Sequence, residues 1–184
     1  MKLSIVRYGD PVLRAKGKRV TQVDDRIREL AENMIETMRE ANGVGLAAQQ
    51  IGEPLQLTVI DVGNVEDRPS TMKLNGEEVE PRTSMPLVLL NPELTLGDET
   101  DLGLEGCLSF PEITADIRRA STIVARAQNL EGEAIEIEAT GLLARALQHE
   151  VDHLNGILFI DRMNAATKVA LRGRLRRMKK EAGL

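Results

Sequence analysis

The sequence is short of several things that whole classes of protein depend on. It has no Trp, one Tyr and two Phe in 184 residues. Nucleic-acid binding by stacking bases on aromatic rings is therefore a poor reading. The core has to come from Leu, Ile, Val, Ala and Met. Its one cysteine, Cys107, cannot form an internal disulfide. No apolar run approaches the roughly 18 residues needed to span a bilayer. The opening "MKLSIVRYGDPVLRAKG" lacks the apolar segment and cleavage pattern of a signal peptide. No membrane partner and a reducing, cytoplasmic setting are the expectations. Histidine is the scarcest informative residue: there are two, and they stand four apart in "QHEVDHLNG".

The rest of the composition is ordinary for a globular chain, 42% hydrophobic and 29% charged. The net charge of −5 is unevenly spread. Residues 162–184 carry eight bases and one acid, which gives +7 there and −12 elsewhere.

Hydrophobic periodicity gives a coarse map. "LSIVRYGDPVLR" reads as a short strand ended at Gly9-Asp10-Pro11. Ile27, Leu30, Met34, Met38 and Ala41 mark an amphipathic helix closed by Asn42-Gly43. "LQLTVIDV" and "LVLLNPEL" read as strands. Gly63 to Pro86 is a polar loop or hairpin excursion. "STIVARAQNLEGEAIEIEATG" is a hairpin turning at Gly132. "LLARALQHEVDHLNG" is a helix stopped at Asn155-Gly156, and a last helix starts near Asn164. Strands dispersed among two or three helices predict an α+β fold. Residues 1–163 are expected to form the catalytic domain, with the basic helix 164–184 a part of it or an appendage.

On an α-helix His149 and His153 project about 40° apart with about 6 Å of rise, so both rings can reach one cation. Glu150 lies beside them, in the H-E-x-x-H pattern, and suits a general base for an attacking water. Both His and Glu150 fall on the apolar arc of the wheel, while Arg145, Gln148 and Asp152 fall on the other side. Burying such groups without partners is costly, and a metal accounts for all three together. A catalytic metal usually takes three protein ligands and keeps one position open. No His follows His153. Asp161 and Glu181 lie downstream, but Cys107 in "LGLEGCLSFPEI" is the better third ligand. A lone Cys is commonly a small buried hydrophobe; the H-E-x-x-H helix changes that weighting. In "GVGLAAQQIG", Gly43, Gly45 and Ala48 match a dinucleotide fingerprint, but the context is wrong, since the motif follows a helix instead of a strand. A backbone lining a cleft, with Gln49 or Gln50 donating an amide, is the functional reading.

Three segments, "GVGLAAQQIG", "EGCLS" and "QHEVDH", resemble in order and spacing the three signature motifs of the peptide deformylases. The likeness runs from "VRYGDPVLR" through "GILFIDRM". It implies antiparallel sheets packed around the H-E-x-x-H helix, with a C-terminal helix. It implies that Cys107, His149 and His153 hold one divalent metal, Fe2+ foremost, with Ni2+, Co2+ or Zn2+ as alternatives. Glu150 would move the proton, and Gln50 and the Leu108 N–H would face the developing oxyanion. Val44, Gly45 and Gly106 would bind the peptide backbone. Val44, Leu142 and Ala146 would line the methionine pocket. The implied substrates are N-formylmethionyl nascent peptides, with a ribosome contact through the basic C-terminal helix. Three features depart from the family pattern: Arg145 near the pocket wall, Thr114 where many relatives carry Arg, and the length of the Gly63–Pro86 excursion. A zinc endopeptidase using Asp161 or Glu181, and a non-catalytic metal-binding module, are the other readings.

Overall fold

Asp24 starts the first helix: its carboxylate accepts from the Ile27 N–H at 3.0 Å. Helix α1 (Asp25–Glu40) buries Ile27, Ala31, Met34 and Met38 along one stripe. Just past its end Asn42, at φ +56°, turns the chain before Gly43. The structure, a computed structural model, describes residues 1–183.

The chain next lays down β1 (Gly45–Ala47), a 3-10 turn at Ala48–Ile51, and β2 (Leu57–Ile60). The excursion is a hairpin, β3 (Met72–Leu74) and β4 (Glu77–Val79), closed by Asn75 and Gly76 at φ +51° and +87°. Two positive φ values suit the right-handed twist of the flanking strands. Then follow β5 (Leu87–Leu96), β6 (Thr100–Cys107), β7 (Phe110–Ala120), β8 (Thr122–Gln128) and β9 (Ala134–Thr140). Gly132, at φ +79°, makes the β8–β9 turn as expected.

Seven strands form one antiparallel sheet, ordered β1-β2-β5-β8-β9-β3-β4, and β6 and β7 form a separate hairpin. Helix α2 (Gly141–Leu154) packs on the large sheet and also meets β7. Leu142, Leu143, Ala146 and Leu147 join the sheet's Ile60, Leu89, Ile123 and Ile137 in one core cluster. A second cluster holds the chain's only three aromatic residues. Tyr8 stacks on Phe110 at 4.7 Å, and Phe110 meets Phe159 edge-on at 5.1 Å. Helix α3 (Ala165–Glu181), capped by Asn164, lays Leu171, Leu175 and Met178 on this cluster. Its basic residues are exposed. The fold is thus α+β, with antiparallel sheets around the histidine helix and a C-terminal helix.

Two local expectations were wrong. Residues 3–8 belong to no strand, and Tyr8 already lies in a turn. Their main chain makes two bridging bonds, Val6 N–H to Gln50 O at 2.7 Å and Tyr8 N–H to Ser109 O at 3.0 Å. They join two loops instead of adding a strand to a sheet. The wheel also suggested that one side of the histidine helix is polar and outward-facing. Every residue from Leu142 to Leu154 is buried, because the β6–β7 hairpin covers that side. Gln148 is satisfied there by the N–H and C=O of Ala120.

Candidate metal centre

Helix α2 turns His149 and His153 to one side, with ring centroids 5.0 Å apart. Strand β6 ends at Cys107, placing Sγ 3.3 Å from His153 Nε2. One ligand atom from each of Cys107, His149 and His153 lies within 4.8 Å of the other two. This is the one such group among the described residues. Asp161 is occupied elsewhere: it pairs with Arg14 at 2.6 Å and accepts from Leu158 N–H.

Glu105, two residues before Cys107, accepts from His149 Nδ1 at 2.8 Å. With the proton on Nδ1, the other ring nitrogen is free to bind a metal, and the carboxylate sets the ring plane. One thiol and two imidazoles are the donor set of a three-ligand catalytic site. The electrostatics agree. Burial opposes charge on His149, yet the hydrogen bonds it donates to Cys107 and Glu105 raise its pKa well above the ordinary value. Acceptors on both sides of that ring draw a cation to it, and a metal there would displace the second proton. Burial and the neighbouring His149 lower His153 instead. The residues present fit the implied metal.

Glu150 is buried, and its Oε2 has no hydrogen-bond partner. Burial pushes its pKa up to about 7, the main cause, partly offset by His149. A carboxylate near neutrality is suited to taking and giving a proton. Gly45 makes room for it: a Cβ there would come 2.5 Å from Glu150 Oε1.

Gln50 Oε1 accepts from the Ala47 N–H at 3.0 Å, which orients the amide. Its Nε2 then points at Ser109 Oγ, 3.1 Å away, and lies 3.5 Å from Cys107 Sγ. Gln49 faces elsewhere, donating to the carbonyls of Ala15 and Leu154. Of the two glutamines, Gln50 is the one beside the thiol.

Cys107, His149, Glu150 and Gln50 share a cavity of about 430 Å³, within the usual range for small-ligand sites. Val44, Leu142 and Ala146 give it an apolar wall, and Gly45, Gly106 and Leu108 also line it. Of the residues to which the resemblance gives a role, His153 alone is absent from the lining; it is 1% exposed. A larger groove lies behind α2, lined by Lys16, Arg19, Arg118, Asp152 and Arg162. It holds none of the metal donors.

The sequence reading gave no role to four residues the structure brings to the site. Glu105 stood inside the "EGCLS" segment but carried no assignment. Arg119 clasps it at 2.9 Å from the next strand. Ser109 meets Gln50. Arg68, from the excursion, lines the cavity together with Thr114. Glu105 was the findable one, as an acid flanked by Leu104 and Gly106 two residues from the thiol. The others depend on contacts distant in sequence.

An α+β chain whose H-E-x-x-H helix and upstream cysteine form one metal-fit group beside a buried carboxylate defines a metal-dependent hydrolase. Known proteins narrow the class. Residues 2–169 match the family described as Polypeptide deformylase. A peptide deformylase of Opitutus terrae is 49% identical over 173 residues, covering 93% of this chain and 90% of that one. The solved peptide deformylase of Ehrlichia chaffeensis is 31% identical, with a TM-score of 0.84 over 100% of both chains. That of Thermotoga maritima is 42% identical, with a TM-score of 0.76 over 89% of this chain and 99% of that one. The chain belongs to the polypeptide deformylase family.

Proposed function

We propose that Cys107, His149 and His153 hold the metal with which this enzyme works, and that Glu150 is its proton-transfer group. As a metal-dependent peptide deformylase the chain removes the N-formyl group from the N-terminal formylmethionine of newly made polypeptides and releases formate. The observation that carries the assignment is the convergence of thiol, two imidazoles and a buried carboxylate on one apolar-walled cavity.

When bound, the metal supplies Lewis acidity for hydrolysis of an unreactive formamide. The protein's groups do the rest. Glu150 takes a proton from the attacking water and passes one to the departing amine. Gln50 Nε2 and the Leu108 N–H donate to the oxygen that gains charge, preorganised so that little rearrangement is needed. Val44, Leu142 and Ala146 receive the methionine side chain. The Gly45 and Gly106 backbone offers strand-like hydrogen bonds to the peptide, β1 and β6 each having a free edge there.

Fe2+ is the ion proposed; Ni2+, Co2+ and Zn2+ suit the same donors. No helix among the described residues is long and apolar enough to cross a membrane. A cytoplasmic setting is part of the proposal, resting on a single cysteine that must stay reduced. Residues 1–163 are read as the catalytic domain and the basic segment from residue 164, which carries α3, as part of it, since Leu171, Leu175 and Met178 pack on the aromatic cluster; residue 184 lies outside the described residues. The exposed bases of α3 are the proposed contact with ribosomal RNA. That contact would weaken steeply with salt and be lost when the bases are neutralised.

The test is formate release from a formyl-Met dipeptide by anaerobically purified protein, beside Glu150→Gln. Release by the parent alone supports the reading. Equal rates remove Glu150 from it.

A further inference from the structure

Arg145 was the residue that most threatened the pocket wall. Its side chain is 8% exposed and does not project outward. Nη1 donates to Glu105 Oε2 at 2.9 Å and to Ile117 O at 2.7 Å. Nη2 donates to Asp101 Oδ1 at 2.8 Å and to Asp101 O at 3.2 Å. All four acceptors sit on β6 and β7, the hairpin that carries Cys107. Arg145 itself sits on α2, one turn before His149. A single side chain therefore ties the helix bearing the two imidazoles to the strand bearing the thiol.

The hairpin is shaped for it. Gly103 lies midway between Asp101 and Glu105 on β6. A Cβ there would come 2.7 Å from the Cζ and Nε of Arg145, so the missing side chain leaves the space the guanidinium occupies. Glu105 is held on both oxygens. Oε1 receives Arg119 Nη2 at 2.9 Å and His149 Nδ1 at 2.8 Å. Oε2 receives Arg119 Nε at 2.9 Å and Arg145 Nη1 at 2.9 Å. Each oxygen has two lone-pair sites, and both are filled. A carboxylate bound this way cannot rotate without breaking charge-assisted bonds. The ring of His149 is oriented by that carboxylate.

We infer that Arg145 is a positioning residue for the metal centre, acting through Glu105 on His149 and through Asp101 on the strand that ends at Cys107. The inference rests on the reading that Cys107, His149 and His153 hold the metal. A merely structural brace would lower the stability of the metal-free protein and leave metal retention untouched. A positioning residue changes retention and the ligand field. Partners that orient a metal's ligands typically govern 10–100-fold in affinity.

The experiment loads parent and Arg145→Met with Co2+, then follows release to a chromophoric chelator and records the visible spectrum. Thermal unfolding of each metal-free protein is measured alongside. Arg145→Met is expected to release Co2+ at least tenfold faster, with shifted bands. Arg145→Lys should fall between, since a point charge cannot bridge Glu105 and Asp101 together. Gly103→Ala keeps every charge and crowds the guanidinium, so several-fold faster release is expected from it too. It serves as the test if Arg145→Met does not fold without metal. A folded variant with release rate and spectrum within twofold of the parent overturns the inference, whatever its change in stability. If Cys107→Ser retains Co2+ as tightly as the parent, the metal reading itself fails and the inference falls with it.

Discussion

Gly45→Ala isolates the role of Glu150 without touching a metal donor. Gly45 does not need a left-handed backbone, so alanine fits the chain there. The added Cβ would stand 2.5 Å from Glu150 Oε1 and 2.8 Å from Cδ and Cγ, where ordinary contact begins at 3.4 Å. The carboxylate has to retreat by about 0.9 Å, the difference between 2.5 and 3.4 Å. Misplacing a reacting group by about 1 Å costs on the order of 10²-fold, or about 2.7 kcal/mol of barrier. Overpacking of this kind costs about 1–3 kcal/mol of stability, offset by about 0.4–1 kcal/mol from removing a glycine. The protein should stay folded and keep its metal. The assay is formate release at saturating formyl-Met peptide, read as kcat because β1 is also a proposed contact of the substrate backbone. Gly76→Ala is the control. Its φ of +87° strains alanine but nothing lies within 4 Å, so stability should drop with kcat intact. A metal-replete Gly45→Ala whose kcat is within threefold of the parent would refute the argument.

Three further outcomes follow from the same geometry. Glu150 must be ionised to accept a proton, and burial raises its pKa to about 7; a cation beside it lowers that value. The rate should therefore fall as pH drops through an apparent pKa at or below 7, and a rate that stays flat from pH 8 down to the onset of acid unfolding contradicts this. Gln50→Ala removes one oxyanion donor and should lower kcat about 10²–10³-fold. It should also cost about 1–3 kcal/mol of stability by orphaning the Ala47 N–H; kinetics and chemical denaturation separate the two effects. Deleting residues 165–184 uncovers part of the cluster beneath Leu171, Leu175 and Met178. At roughly half burial of three side chains this should cost about 3 kcal/mol, measured as a lower denaturation midpoint, while kcat on a dipeptide persists.

The histidine helix was legible because its chemistry is local. Four-residue spacing alone brings His149 and His153 together. Cys107 was legible because the sequence offers little else: there is one thiol, and no histidine follows His153. The β8–β9 hairpin declared itself by alternation and Gly132. The β6–β7 hairpin did not. Exposed Leu102 and Leu104 and two glycines blur its period, and its register is set by pairing with β7. The polar side of α2 misled for the same reason. Arg145 and Asp152 look solvent-facing until Asp101, Glu105 and Arg119, up to 44 residues away in sequence, arrive to pair with them. Residues 3–8 have the composition of a strand, but their N–H groups donate to scattered partners, the Thr37 hydroxyl and the carbonyls of Gln50 and Ser109, which no periodicity signals.

The central claim is that Cys107, His149 and His153 bind one metal together. X-ray absorption at the zinc edge of the zinc-loaded protein tests it most directly. One sulfur at about 2.3 Å and two imidazole nitrogens at about 2.0–2.1 Å are predicted, with the sulfur shell lost in Cys107→Ser. A parent spectrum without sulfur, or one that Cys107→Ser leaves unchanged, would contradict it.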